Sequence, residues 1–446
     1  MRSDLLALDD DALATLANRG LVKRARKEVD RGDGPSLTAD GETVVATFAD
    51  GTVTTLPPGV ALQHAPCSCG ASAVCRHRVA TVMAARAAGG PETSVQVGLP
   101  PLDIDDDALL ARLGRRLLTK AERLRDAGVT ATVRTTSPPE VLLPTCTVRF
   151  LVPWELAHAR CDCRDGVDCA HTALAVWALR AADLGLAESV VSLGTAGASD
   201  ADLLARLEAL EADVLAHGWT GAVDALVGRV EALEAEAGHA GLVWLADLLA
   251  TLREAVGRYT AGHRAADAHS VGALVGELGL RARTPPGPAL PRAWLHGEGR
   301  MERTSLDHTV LRGIGARVRP DGDTTVLQVF LRDGDARDAL VLMRRHDGAP
   351  DGEALARRRL LGSTVATVCT GNITTRAASR LPNRAVEVGG QTSRQTAVLP
   401  DGGASLERAA RPLAEVREEL AGRVPSALGP RIRASRVVLT AFTEVR

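Results

Sequence analysis

The sequence lacks the features that mark membrane-spanning and secreted proteins. No apolar run approaches the ~20 residues that a helix needs to cross a bilayer. Residues 1–16 are acidic where a signal peptide is basic, and no small-residue cleavage motif follows them. We therefore expect a cytoplasmic protein without a membrane partner.

Recurrent enzyme motifs are also missing from the sequence. It contains no GxxxxGKS or GxxxxGKT phosphate loop, no HExxH helix and no GxSxG nucleophile turn. Gly313 and Gly315 precede strand-like residues rather than a helix, so they do not predict a dinucleotide loop. We predict that the chain is not an enzyme. An unrecognised site in the C-terminal part is the alternative from that class.

Aromatic residues and lysines are scarce. Phe, Trp and Tyr make up 2% of the residues, and beyond residue 300 only Phe330 and Phe442 could stack on bases, which argues against single-strand binding on aromatic platforms. Lysine occurs three times against fifty arginines. Together with abundant Ala and Gly, this usage is typical of a GC-rich genome, so arginine content alone says little about a nucleic-acid partner.

The length and the cysteines bound the architecture. At 446 residues, the chain is too long for one compact core and predicts two to four domains. Six of the eight cysteines form two tight clusters, a pattern that favours metal over disulfides in a reducing compartment. Cys146 and Cys369 lie outside the clusters, and we interpret both as small core residues.

Two stretches of the sequence match at a nearly constant offset. The acidic run at 9–11 recurs 96 residues later at 105–107. The cysteine cluster that begins at Cys67 recurs 94 residues later at Cys161. Two copies are too few for a solenoid, so we predict tandem modules of one fold.

Each copy has the same predicted order of elements. A helix with an acidic start comes first, where the helix dipole favours such residues. In the first copy β-rich runs follow at 42–48 and 52–56, joined by Asp50-Gly51, which favours a hairpin turn. Residues 130–136 and 141–152 take that part in the second copy. A cysteine cluster then leads into a second helix in both.

Each cluster combines a Cys-x-Cys pair with a Cys-x-His pair. Zinc prefers four soft or borderline ligands in a tetrahedron, and Cys3His is one of its closed structural sets. Cys-x-Cys at a strand end points both sulfurs to one side, because side chains alternate along a strand. Cys-x-His at a helix start supplies the other pair, where the positive helix end stabilises thiolate. We predict two Zn2+ ions bound by Cys67, Cys69, Cys75 and His77 and by Cys161, Cys163, Cys169 and His171.

This arrangement resembles the SWIM zinc finger, which is defined by CxC followed by CxH. The resemblance covers about residues 19–88 and 112–183. It implies a ββα fold for each copy, the eight metal ligands named above, and a protein that binds DNA or other proteins. Because four protein ligands leave no open position for water, we expect structural rather than catalytic zinc.

Residues next to the clusters have two possible roles. His64 and His158 precede each cluster by three residues and could replace a ligand or hydrogen-bond to one; ordinary packing is the alternative. Arg76 and Arg78 flank the first histidine ligand and could offset the thiolate charge.

The middle of the chain is helical and acidic. Residues 199–280 place apolar side chains at helical spacing, and Gly218, Gly238 and Gly262 divide them into three to four helices. Residues 181–280 hold 15 acidic residues and five arginines, a net charge of −10. We predict a bundle whose acidic face is solvated or docks a basic partner.

The C-terminal part is β-rich beyond a proline-rich linker at 284–288. Residues 300–446 are mildly basic, with a net charge of +7. One helix is predicted at 406–422. Strands are predicted at 324–333, 338–346, 363–371, 384–388 and 435–442.

We therefore predict an α+β multidomain protein. Its domains are two zinc modules at 1–95 and 96–190, an acidic helical bundle at 191–283, and an α+β or barrel-like domain at 290–446. A non-enzymatic interaction protein is the leading interpretation. Protein partners come slightly ahead of DNA, because residues 1–90 carry ten basic and ten acidic residues rather than a basic stripe.

Overall fold

The protein is described from a computed structural model. The described residues are 3–88, 102–135, 138–194, 200–263, 266–287, 290, 292–297, 303–306, 309–321, 324–333, 339–348, 351–389, 395–400, 412–414, 416–417 and 427–431. They form a mixed α and β structure with four buried apolar clusters. No helix in these ranges combines the length and the hydropathy that crossing a bilayer requires.

The first region packs four helices against a small antiparallel sheet. The helices are α1 (Ser3–Ala7), α2 (Asp10–Leu16), α3 (Arg19–Asp30) and α4 (Arg76–Ala88). The strands are β1 (Ser36–Asp40), β2 (Thr43–Thr47) and β3 (Val53–Leu56), paired in that order. The Asp9 carboxylate accepts a hydrogen bond from the Ala12 amide and so begins α2, as an acidic N-cap does. Leu8, Leu13 and Val79 are among the side chains that form the core.

The predicted hairpin is present, and its sheet has one more strand. The Phe48 amide donates to the Thr52 carbonyl at 2.9 Å, and Gly51 has a φ of 78°, which closes the turn. The extra strand, β1, is exposed at four of its five residues. It therefore lacks the alternation of buried and exposed side chains by which a strand is recognised in a sequence.

The second region contains two helices and five strands. The helices are α5 (Asp106–Asp126) and α6 (Ala170–Ala181). The strands are β4 (Val129–Arg134), β5 (Glu140–Leu142), β6 (Thr147–Phe150), β7 (Ala159–Cys161) and β8 (Glu188–Leu193). The predicted strand run at 141–152 is divided, because the chain turns where the Leu143 amide donates to the Cys146 carbonyl at 2.8 Å.

The two regions share local features but not a sheet. Asp9 and Asp105 cap their helices alike, and a helix follows each cysteine cluster. The second sheet has the strand order β7-β6-β5-β4-β8, whereas the first has only β1-β2-β3. Two copies of one ββα module are therefore not confirmed. The domain boundary that we placed after residue 190 falls inside β8, which pairs with β4 along its whole length.

The predicted helical bundle is confirmed and contains four helices in the described residues. They are α7 (Ala201–His217), α8 (Val223–His239), α9 (Val243–Thr260) and α10 (Ala268–Arg283). Leucine and valine side chains at helical spacing fill the interior. The short helix α11 (Arg292–Leu295) packs on the bundle, where the Trp244 indole donates to the Ala293 carbonyl at 2.9 Å. The bundle thus extends past the predicted end at 283.

The C-terminal region is β-rich, as predicted. Its strands are β9 (Thr304–Leu306), β10 (Thr309–Asp321), β11 (Thr324–Asp333), β12 (Ala339–Asp347), β13 (Arg359–Leu360), β14 (Ser363–Thr364), β15 (Asn372–Thr375), β16 (Ala378–Arg380), β17 (Val386–Val388) and β18 (Thr396–Leu399). Its helices are α12 (Gly352–Arg357) and α13 (Val365–Thr370). The main sheets have the orders β12-β11-β10-β15-β18 and β17-β16-β9. The described residues thus form separate sheets rather than a closed barrel.

One predicted strand in this region is wrong. Residues 363–371 form a two-residue strand followed by α13, because the Thr364 hydroxyl accepts from the Thr367 amide and caps a helix. Val365 and Val368 of that helix are buried, so their packing outweighs their preference for β structure. The predicted strand at 435–442 and most of the predicted helix at 406–422 lie outside the described residues.

Candidate metal centres

The first candidate centre lies between strand β3 and helix α4. Cys67 pairs with Thr54 of β3, whereas Cys75 precedes α4 and His77 is its second residue. The sulfur of Cys67 lies 3.4 Å from that of Cys69, 3.7 Å from that of Cys75 and 3.9 Å from Nδ1 of His77. All four ligand atoms lie within 4.8 Å of one another. A metal ion could therefore contact all of them at once.

The second candidate centre has the same donors in a more buried setting. Cys161 ends β7, Cys169 is the residue before α6, and His171 is the second residue of that helix. Nδ1 of His171 lies 3.7 Å from the sulfurs of Cys161 and Cys169. With Cys163, the four ligand atoms again lie within 4.8 Å of one another. All three cysteines are buried.

These distances fit a tetrahedral zinc ion. Zinc–sulfur bonds of about 2.3 Å in a tetrahedron separate two sulfurs by about 3.8 Å. The five donor separations given above, 3.4 to 3.9 Å, lie around this value. Three thiolates and one imidazole are also a donor set that zinc prefers.

The thiols of the first centre differ in acidity. The backbone amide of Ala71 and the side chain of His77 stabilise a thiolate and lower the pKa of Cys69 to about 6. Burial disfavours the thiolate of Cys75 and raises its pKa to about 11. At neutral pH without metal, these pKa values favour the thiolate at Cys69 and the thiol at Cys75. The Cys75 thiol must therefore lose a proton when a metal binds.

The second centre holds a charge-separated pair. Hydrogen bonds from Cys161 and Cys163 lower the pKa of Cys169 and so favour its thiolate form. Burial raises the pKa of Cys161. For His171, burial opposes protonation, but hydrogen bonds to the Cys163 and Cys169 sulfurs outweigh it and raise the pKa to about 9. A metal cation that binds at this centre would replace the proton of His171.

A carboxylate lies close to the histidine of the first centre. Nε2 of His77 lies 3.4 Å from an oxygen of Asp50, on the opposite side of the ring from the sulfurs. Arg76 holds the same carboxylate at 3.0 Å and also pairs with Glu28 at 2.7 Å. Arg76 thus neutralises carboxylates rather than the thiolates. A carboxylate behind a ligating histidine fixes the ring orientation and strengthens its metal bond.

Arg78 holds the loop that carries the first two cysteines. Its side chain is buried, and its guanidinium donates to the carbonyls of Ala65, Ala71 and Ala73 at 2.7, 3.3 and 2.5 Å. These carbonyls lie on both sides of Cys67 and Cys69. Arg78 therefore acts on the backbone of the loop, a role that its position next to the histidine did not reveal.

A fourth sulfur lies against the second centre. Cys146 is buried, as predicted, and its sulfur lies within 4.8 Å of the Cys161 sulfur and an Asp162 oxygen. Burial raises the pKa of Cys146. The register of the sheet explains the contact, because Cys161 pairs with Val148 and Cys146 precedes that residue by two. No short-range pattern in the sequence links residues 146 and 161.

The two histidines upstream of the clusters are not part of either group of four. His64 is exposed. His158 is buried, and its Nδ1 lies 3.1 Å from an oxygen of Glu155. The packing interpretation therefore describes His158 better than a ligand role. Cys369, the other cysteine outside the clusters, is buried as predicted.

Comparisons with known proteins support the helical bundle and show a relative of this chain. The chain combines two Cys3His clusters with a helical bundle, and residues 199–296 match the family described as the YehQ four-helical bundle domain. Over 466 aligned positions, the chain is 28% identical to Protein YehQ of Escherichia coli (strain K12), covering 96% of this chain and 75% of that protein. No solved structure matches. The matched range ends at residue 296, so it includes α11, which packs on the bundle.

Proposed function

We propose that both clusters bind structural Zn2+ and that the chain is a non-enzymatic interaction protein. The observation that carries this proposal is the gathering of two complete Cys3His sets, each with its four donor atoms within 4.8 Å. Four protein donors close the coordination shell, which is the pattern of a structural rather than a catalytic zinc. This geometry also supports the resemblance to SWIM zinc fingers.

Zinc would cross-link a loop that has no regular secondary structure of its own. The segment 67–75 contains no helix or strand of its own in the described residues. Structural zinc contributes roughly 10–16 kcal/mol of apparent binding energy in small finger peptides. We expect the two ions to order these loops and the helices α4 and α6 that begin at them.

We propose that a protein partner docks on the helical bundle. At the end of the bundle, Leu215 is 71% exposed and the rings of Trp219 and Tyr259 pack edge to face with centroids 4.7 Å apart. Aromatic residues are enriched in protein interfaces. On α8, Asp224 and Glu231 lie two turns apart, are exposed, and have no ion-pair partner among the described residues. A partner with an apolar centre and a basic rim fits this surface.

The first test compares partner capture by matched variants. Leu215→Glu places a charge in the apolar end of the bundle, whereas Leu186→Glu places one at a comparably exposed leucine outside the bundle. We expect affinity pull-downs from the native host to lose a defined set of proteins with Leu215→Glu only, and to keep that set after nuclease treatment. Equal capture by both variants would exclude this docking surface.

A second candidate, DNA binding, rests on exposed basic helices. Lys23 and Lys27 of α3 and Arg115 and Arg116 of α5 are exposed and have no ion-pair partner among the described residues. Such side chains neutralise phosphates and make binding weaken as salt rises. If this candidate is right, Arg115→Ala with Arg116→Ala weakens binding to duplex DNA in gel-shift titrations, whereas Arg206→Ala on the bundle does not. Absence of any salt-dependent shift with the wild-type protein would exclude it.

A further inference from the structure

A cavity lies beside the second candidate metal centre. It has a volume of ≈ 330 Å³ and opens between the second region and the first strand of the C-terminal region. Helix α5, the turn before β6, the metal loop and helix α6 form one side, and residues 303–305 form the other. Cys163 and His171, two of the proposed zinc ligands, face into it. Pockets that bind small molecules are common at such junctions between domains.

Direct contacts hold the two sides of the cavity together. The Arg164 amide donates to the Ser305 carbonyl at 2.8 Å, and the hydroxyls of Thr145 and Thr304 lie 2.5 Å apart. The same two regions are also joined by an ion pair between Arg380 and Asp162 at 3.1 Å, and both side chains are largely buried. The cavity therefore has fixed walls and is not a gap between unconnected regions.

The lining is apolar in its body and positive at its mouth. Leu124, Leu143 and Leu174 supply apolar surface. Lys120 and Arg164 are exposed at the rim and have no ion-pair partner among the described residues. Arg303 also lines the cavity but pairs with Glu387 at 2.9 Å, and Asp165 is the one acidic residue among the described residues of the lining.

We propose that this cavity binds a small anion with an apolar body, such as an alkyl phosphate or a fatty carboxylate. The anionic head would lie between Lys120 and Arg164, and the apolar body would contact the three leucines. Ligand cavities of 300–1,000 Å³ with an apolar lining and a few polar groups are typical of small-molecule sites. Because Cys163 and His171 line the same cavity, the bound ligand lies against the second metal loop. This inference does not depend on which macromolecule the protein binds.

The competing interpretation is that the two cations only balance the thiolates of the second centre. In that case the cavity binds nothing, and their replacement weakens zinc binding instead. Measuring both ligand and zinc binding on the same variants separates the two interpretations.

The experiment is calorimetric titration of the zinc-loaded 446-residue chain with four probes. We expect hexyl phosphate or hexanoate to bind in a saturable manner with one ligand per chain, and inorganic phosphate and hexanol to bind more weakly, because each lacks one half of the ligand. The comparison of hexyl phosphate with hexanoate distinguishes a phosphate head from a carboxylate. Failure of both amphiphiles to bind the wild-type protein would overturn the proposal.

Matched variants locate the site. Lys120→Met and Arg164→Met remove one charge each, and loss of a charge-assisted hydrogen bond should weaken binding about ten-fold or more. Arg116→Met, one helical turn from Lys120 and outside the cavity, should leave the affinity unchanged. Ala127→Trp, which fills the cavity from the end of α5, should abolish binding while the zinc content stays at the wild-type value. Unchanged ligand affinity in Lys120→Met, Arg164→Met and Ala127→Trp would also overturn the proposal.

Discussion

Replacing Arg78 by alanine tests how the first centre is held. The substitution removes three hydrogen bonds from a buried guanidinium to the carbonyls of Ala65, Ala71 and Ala73. Hydrogen bonds to a charged group contribute about 1.5–3 kcal/mol each, but three bonds from one side chain are not additive. The loop is also near the surface, so water can replace part of what is lost. We therefore expect the free energy that keeps this loop ordered in the metal-free protein to fall by about 3 kcal/mol.

This loss should appear in the zinc affinity of the first centre. Without Arg78 the metal itself must order the loop, so about 3 kcal/mol corresponds to a roughly 100-fold weaker affinity. A competition titration with a chromophoric chelator measures both centres in one sample, and the second centre serves as the internal reference. Arg76→Ala is the matched control, because its partners are partly exposed carboxylates and its effect should stay within about ten-fold. Equal zinc affinities of wild type and Arg78→Ala, or an equally large effect of Arg76→Ala, would refute the reasoning.

Further predictions concern the other groups near the metals. Asp50→Asn should weaken the first centre about ten-fold by loosening His77, and chelator competition should show no change at the second centre. Cys146→Ala should retain two zinc equivalents by metal analysis, because the second Cys3His set is complete without it; loss of one equivalent would make Cys146 a ligand. Zinc affinity should fall as pH falls from 8 to 6, because protons compete for the ligands. At neutral pH the pKa values of about 11 for Cys75 and about 9 for His171 mean that binding releases protons, which calorimetry in buffers of different ionisation enthalpy detects.

Local patterns in the sequence were sufficient for the parts of the structure that local physics decides. Cys-x-His begins a helix in both centres, and in the second centre Cys161 ends a strand, as the local pattern predicts. In the first centre Cys67 forms only an isolated bridge with Thr54, so the strand that we expected to carry Cys-x-Cys is not found there. The hairpin at Asp50-Gly51 and the acidic helix start at Asp105 are likewise short-range features. The periodic apolar residues of the bundle also identify its helices without any long-range contact.

Features that depend on distant parts of the chain could not be predicted in this way. Cys146 reaches the second centre through the pairing of β6 with β7, and Arg78 reaches carbonyls on a loop whose path no local pattern describes. The ion pair between Asp162 and Arg380 joins residues that are 218 positions apart in the sequence. At α13, a run rich in valine and threonine resembles a strand, and only its cap and its packing make it a helix. These are cases in which tertiary contacts decide the outcome.

The most direct test of the two metal centres is the zinc content of freshly purified, reduced protein, combined with X-ray absorption at the zinc edge. We predict two zinc ions per chain, each with three sulfur neighbours at about 2.3 Å and one nitrogen neighbour at about 2.0 Å. Cys75→Ser and Cys169→Ser should each lose one equivalent. Zinc near zero in the wild-type protein, or an absorption spectrum dominated by oxygen neighbours, would contradict the account.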